Sequence, residues 1–128
     1  MVVFAFSIGT GVANFVASER AVDKLILFAP YADGYDLYKR YVNVFYGPLR
    51  LTVPYRMEAV KFAERVQASP LIFASRQDEV IWYKSSERLI KAYPNGCKFH
   101  TLEGVLHNDI WKTDSVLQKV KEYLHESN

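Results

Sequence analysis

Three short runs, Val2-Val3-Phe4-Ala5-Phe6, Leu25-Ile26-Leu27-Phe28-Ala29 and Leu71-Ile72-Phe73-Ala74, are apolar at every position. A strand with one wet face alternates apolar and polar residues, whereas an unbroken run is what a strand needs when both of its faces are covered. These runs therefore predict buried strands of a parallel sheet lying between layers of helices. The first is bounded by Ser7-Ile8-Gly9, and Pro30 ends the second. A helix over residues 10–18 follows the first run, where Gly9, Gly11 and Ala13 suit a close approach to the sheet. A helix over residues 84–93 stops at Pro94-Asn95-Gly96, and residues 97–102 form a fourth strand. The last helix starts near Thr113, with Val116, Leu117, Val120 and Leu124 as one apolar stripe, and the tail from His125 frays. This alternation is the signature of βαβ units in an α/β fold with a mostly parallel sheet.

The rhythm breaks between residues 31 and 69, a stretch holding Tyr31, Tyr35, Tyr38, Tyr41, Phe45, Tyr46 and Tyr55. It reads as a cap-like helical insert. Leu37, Tyr41 and Phe45 repeat at helical spacing, Gly47-Pro48 breaks that helix, and Met57, Lys61 and Glu64 support a second one ending near Gln67. The tyrosines fit either the insert's own core or an apolar pocket with hydroxyl handles.

Composition narrows the partners. The chain of 128 residues, 50% apolar and 23% charged, suits one globular domain, residues 1–128. Its 16 basic residues are scattered and the formal charge is only +2, so no footprint for nucleic acid or an anionic membrane is present. A small-molecule substrate is expected instead. No apolar run approaches the roughly 20 residues that span a bilayer, and Met1 to Phe6 is too short for a signal-peptide core. The single cysteine, Cys97, forms no disulfide framework and agrees with a reducing compartment, so a cytoplasmic location is expected. No phosphate-cradling G-x-x-x-x-G-K-S/T or G-x-G-x-x-G segment occurs. His100 alternates with apolar neighbours as a sheet residue would, His125 lies in the tail, and no second ligand stands at metal spacing. Neither metal nor cofactor is expected.

Three residues carry chemistry together. Ser7 stands just past a strand and just before a small-residue helix start, with Ala5 and Gly9 two positions to either side, giving A-x-S-x-G. That is the geometry of a nucleophile elbow, and the backbone N–H of Ile8 would then face a developing oxyanion at the helix N-terminus. The same serine could simply cap the helix. Asp78 follows the third strand in Ser75-Arg76-Gln77-Asp78-Glu79-Val80-Ile81, where it could orient a histidine or close a turn. His107 lies in the loop after the fourth strand, as a base or as a surface residue. The order Ser, Asp, His, each beyond the end of a different strand, is what a nucleophile, an orienting acid and a general base require. Asp33 and Asp36 are the fallback acids.

The segments Phe6-Ser7-Ile8-Gly9-Thr10-Gly11-Val12-Ala13, Leu25-Ile26-Leu27-Phe28-Ala29-Pro30-Tyr31, Gln77-Asp78-Glu79-Val80-Ile81 and Leu106-His107-Asn108 resemble bacterial α/β-hydrolases of the esterase and prolyl-oligopeptidase-like type. The resemblance runs through the whole chain. It implies strands five to eight of an eight-stranded hydrolase sheet, with Ser7 as nucleophile, Asp78 as acid and His107 as base. The activity it implies is serine hydrolysis of an ester, thioester or related acyl bond without a cofactor. Ala5 departs from the usual glycine, and Trp82 stands where such families often have proline. Trp82, with Tyr31 and Tyr35, is a candidate substrate-lining residue.

A chain that opens at the nucleophile strand leaves out what such a hydrolase places ahead of it, including the loop that gives the second oxyanion N–H. The expectation is a partial domain: a truncated product, an incomplete gene model, or an assembly covering the first strand. An exposed apolar edge there invites pairing with another chain, including a second copy. The competing expectation is a catalytically silent half-domain acting as a scaffold or interaction piece.

Overall fold

The computed structural model describes residues 1–34, 36 and 58–126. Its sheet contains β1 (Val2–Phe6), β2 (Lys24–Phe28), β3 (Leu71–Ser75) and β4 (Lys98–Leu102). They lie side by side in chain order, and every neighbouring pair is parallel. Parallel neighbours need crossovers. Helix α1 (Gly9–Glu19) follows β1, the short α2 (Ala59–Ala63) precedes β3, and α3 (Tyr83–Ile90) lies between β3 and β4. A 3₁₀ segment, His107–Lys112, and then α4 (Asp114–His125) follow β4. The 3₁₀ segment is an element that the apolar spacing did not announce.

Burial separates the four strands. Every residue of β2 and β3 is buried, as their unbroken apolar runs require. The opening strand departs from that expectation, since Val2 is 47% and Phe4 53% exposed. The reason is position: among the described residues β1 has β2 on one side only, so less of the described chain surrounds it than surrounds β2 and β3. β4, at the other end of the strand order, is partly covered: Lys98 and Thr101 are exposed, and Phe99, His100 and Leu102 are half-buried.

Residues in register stand on one face of the sheet, and Phe6, Phe28, Phe73 and His100 form such a row. Phe28 stacks on Phe73 with ring centres 5.6 Å apart, and Phe73 stacks on His100 at 5.4 Å. His100 is thus a packed sheet residue, and burial, with smaller contributions from Lys119 and Lys98, pushes its imidazole below the ordinary histidine pKa.

On α1, Thr10, Gly11, Ala13, Asn14 and Ala17 are buried, and the helix packs against α2, β1 and β2. Small side chains let two helices approach closely, and Ala59 and Ala63 supply them on α2. Asn14 would be costly inside this layer without partners. Its amide donates to Thr10 O, and the hydroxyl of Tyr93 donates to its Oδ1. Burial raises the Tyr93 phenol well above its usual range, which keeps it a neutral donor.

Most of the expected cap, Tyr35 with residues 37–57, lies outside the described residues. The two ends of the insert are not cap but core, because Tyr31, Ala32, Ala59, Ala63 and Val66 belong to the main apolar cluster. The second insert helix is also shorter than its sequence suggests. After Ala63 the N–H groups of Arg65 and Val66 reach back three residues, to Phe62 O and Ala63 O, and the helix tightens into turns.

Candidate active site

The C-terminal ends of β1, β3 and β4 converge on one edge of the sheet, and each is followed by one of the three residues singled out from the sequence. Ser7 leaves β1 with φ of 56°, a left-handed conformation that is unfavourable for any residue with a Cβ. Its N–H still donates to Phe28 O at 2.9 Å, so the strand pairing runs up to the bend. Immediately after it, the Ser7 carbonyl accepts from the N–H of Thr10 at 3.0 Å and from its Oγ1 at 2.6 Å. The hydroxyl that ties this turn is therefore that of Thr10, and Ser7 contributes to the turn through its main chain.

The strain is not confined to Ser7. Ala29, which directly follows β2 as Ser7 directly follows β1, has φ of 50°, so the conformation occurs where each of these two strands leaves the sheet. Gly9, expected to be small for a close helix–strand approach, has no such need: a Cβ added there meets nothing within 4 Å.

Asp78 is 2% exposed and His107 4%. The turn after β3 holds one carboxylate oxygen of Asp78 and the histidine after β4 faces the other. Oδ1 accepts the N–H groups of Val80 and Ile81, each at 2.8 Å, and Oδ2 lies 2.8 Å from His107 Nδ1. A buried carboxylate without such partners would be costly, and here every contact is charge-assisted. His107 packs its ring against Phe6, the residue before Ser7, with centres 4.7 Å apart. The aromatic row on the sheet thus ends under the imidazole and brings the β4 loop to the β1 elbow.

Ile8 has helical dihedrals and directly precedes α1, so its N–H falls among the first-turn donors that a helix cannot satisfy itself. The carbonyl of Ile8 accepts the hydroxyl of Tyr31 at 3.0 Å. Tyr31 is fully buried, and the structure places it beneath the elbow as a support. Trp82, expected near the pocket, is 42% exposed at the start of α3, with the Lys84 ammonium 5.9 Å from its ring centre. Tyr35 lies outside the described residues. The fallback acid Asp36 is engaged elsewhere: its Oδ2 accepts from Ser85 Oγ at 2.7 Å and from Arg88 Nη2 at 2.8 Å, tying the start of the insert to α3. Asp33 is buried.

A hollow of about 440 Å³ lined by Lys24, Ser69, Lys98 and Tyr123 opens at the start of β2 and β4, the opposite end of the sheet from Ser7. No group of His, Cys, Asp or Glu side chains among the described residues could hold a metal ion, and no helix among them is long and apolar enough to cross a membrane.

This arrangement is the fold of the α/β-hydrolases, and solved structures with that fold superpose on nearly the whole chain. An esterase domain from a Rhodothermus marinus protein matches at 16% identity and a TM-score of 0.70, covering 96% of this chain and 57% of its own. A Pyrococcus furiosus esterase matches at 13% identity and a TM-score of 0.75, covering 96% and 51%. The Pyrococcus horikoshii acylaminoacyl peptidase matches at 14% identity and a TM-score of 0.72, covering 95% and 22%. The chain thus spans about half the length of the esterases it matches, as a C-terminal half would. No family model and no curated protein matches the sequence.

Proposed function

We propose that this chain carries the catalytic residues of a serine hydrolase that cleaves an ester, thioester or related acyl bond of a small molecule in the cytoplasm. The observation that carries the reading is the buried Asp78–His107 pair standing against the strand that delivers Ser7. With Asp78 ionised, the hydrogen of the imidazole sits on Nδ1, and Nε2 keeps the lone pair that a general base needs. Ser7 Oγ attacks the acyl carbon as His107 takes its proton, and the Ile8 N–H stabilises the oxyanion. Collapse of the tetrahedral species expels the alcohol or thiol, which receives the proton from His107. Water then attacks the acyl-enzyme with His107 again as base, releasing the acid and restoring Ser7. Esterases and an acylaminoacyl peptidase among the structural neighbours support hydrolase chemistry in general.

Intact-mass labelling of the folded chain with a fluorophosphonate probe tests this. Single labelling that Ser7→Ala and His107→Ala both abolish is the expected result. A chain that circular dichroism shows to be folded and that takes up no probe would favour the second reading, a silent half-domain acting as a scaffold. Among the described residues β1 pairs with β2 alone, which supports that alternative, because an apolar strand unpaired on one side suits assembly with another chain.

A further inference from the structure

The loop after β3 grips the loop after β4 at more points than the bond between Asp78 and His107. Ser75 Oγ donates to Val105 O at 2.5 Å, the Gly104 N–H donates to Gln77 Oε1 at 2.6 Å, and Arg76 Nε lies 2.8 Å from Glu103 Oε1. The last of these contacts falls on the histidine itself: its main-chain N–H donates to Glu79 Oε2 at 3.0 Å. Adjacent acids thus hold one residue by two handles, Asp78 at the ring and Glu79 at the backbone.

The second handle matters because of where the histidine sits. On the approach to His107, Glu103, Gly104 and Leu106 are exposed, Gly104 takes φ of 69°, and Val105 alone of residues 103–106 packs partly against the core. A bond to Nδ1 sets the direction of the ring but does not touch the main chain of His107. A carboxylate accepting the N–H pins that Cα, and a hydrogen bond to a charged group is among the stronger kinds. We infer that Glu79 is a positioning residue for His107, fixing the backbone that carries the imidazole while Asp78 fixes its ring. The catalytic part of this inference rests on the hydrolase reading above; the positioning itself does not.

Nitrogen-15 NMR of the folded chain separates the two. In the unmodified chain the His107 amide should be protected from hydrogen exchange although residues before it are exposed, and an unprotected amide overturns the inference without any variant. Glu79→Ala should speed that exchange by about tenfold or more and weaken the Nδ1 proton signal, and Glu79→Gln, which keeps an acceptor oxygen, should restore both in part. Unchanged exchange and an unchanged Nδ1 signal in Glu79→Ala overturn it equally. Where the unmodified chain takes the fluorophosphonate probe, labelling should slow in Glu79→Ala and recover with Glu79→Gln, with Ser7 still the site. If the unmodified chain takes up no probe, the hydrolase reading fails while the two NMR signals still decide what Glu79 does.

Discussion

At Asp78 the two roles that the sequence left open turn out to be compatible, because a carboxylate has two oxygens. Oδ1 closes the turn through Val80 and Ile81, and Oδ2 faces His107. A substitution can therefore separate them. In Asp78→Asn, the amide oxygen can still accept the two turn N–H groups, but the amide nitrogen donates to Nδ1 and forces the hydrogen of the ring onto Nε2. The fold should persist by circular dichroism while fluorophosphonate labelling of Ser7 falls, on the order of 10⁴-fold for loss of the correct tautomer in a triad. Equal labelling of Asp78→Asn and the unmodified chain would remove Asp78 from the proposed mechanism. Ser7 shows the opposite kind of legibility. Its place between strand and helix was readable, whereas its left-handed backbone, shared with Ala29 after β2, had no signal in the sequence.

Among the elements, strands were easier to read than the segments between them. β2 and β3 follow their apolar runs because burial on both faces leaves no polar position to disguise the pattern. Helix α1 was legible from small residues, yet one contact that its pattern did not announce is the bond between Asn14 and Tyr93, residues 79 apart in sequence. Replacing Tyr93 by Phe removes the donor and leaves Asn14 Oδ1 buried without it, which costs about 1–3 kcal/mol. Urea unfolding should show the midpoint fall with an unchanged slope, and an unaltered midpoint would mean that the bond adds nothing to stability. The 3₁₀ segment carrying His107 had no periodic signal, since a short turn of this type is set by its surroundings, here the contacts from the β3 loop.

For the molecule as a whole, the consequential feature is the side of β1 that no described strand pairs with. Val2 and Phe4 are exposed on a strand whose composition suits the middle of a sheet, and natural edges are normally blunted by charge, proline or a covering element. Self-association through this edge is the expected behaviour of the chain in solution. Sedimentation of the unmodified chain should show oligomers that Phe4→Lys shifts toward monomer while its circular dichroism is retained. A monodisperse monomer at high concentration would refute pairing through β1.

The sequence by itself determined the parallel α/β architecture, the order of its strands along the chain, and the placing of Ser7, Asp78 and His107 just beyond three of them. Such features depend on local apolar pattern and on chain order, which neighbours in space do not alter. Only the tertiary structure decided which side of each residue is used: that Asp78 serves a turn and a histidine at once, that Asp36 is taken by Arg88, that Tyr31 supports the elbow from beneath, and that Glu79 reaches the main chain of His107. These are contacts between segments far apart in sequence, and their geometry exists only once the sheet has brought the strand ends to one edge.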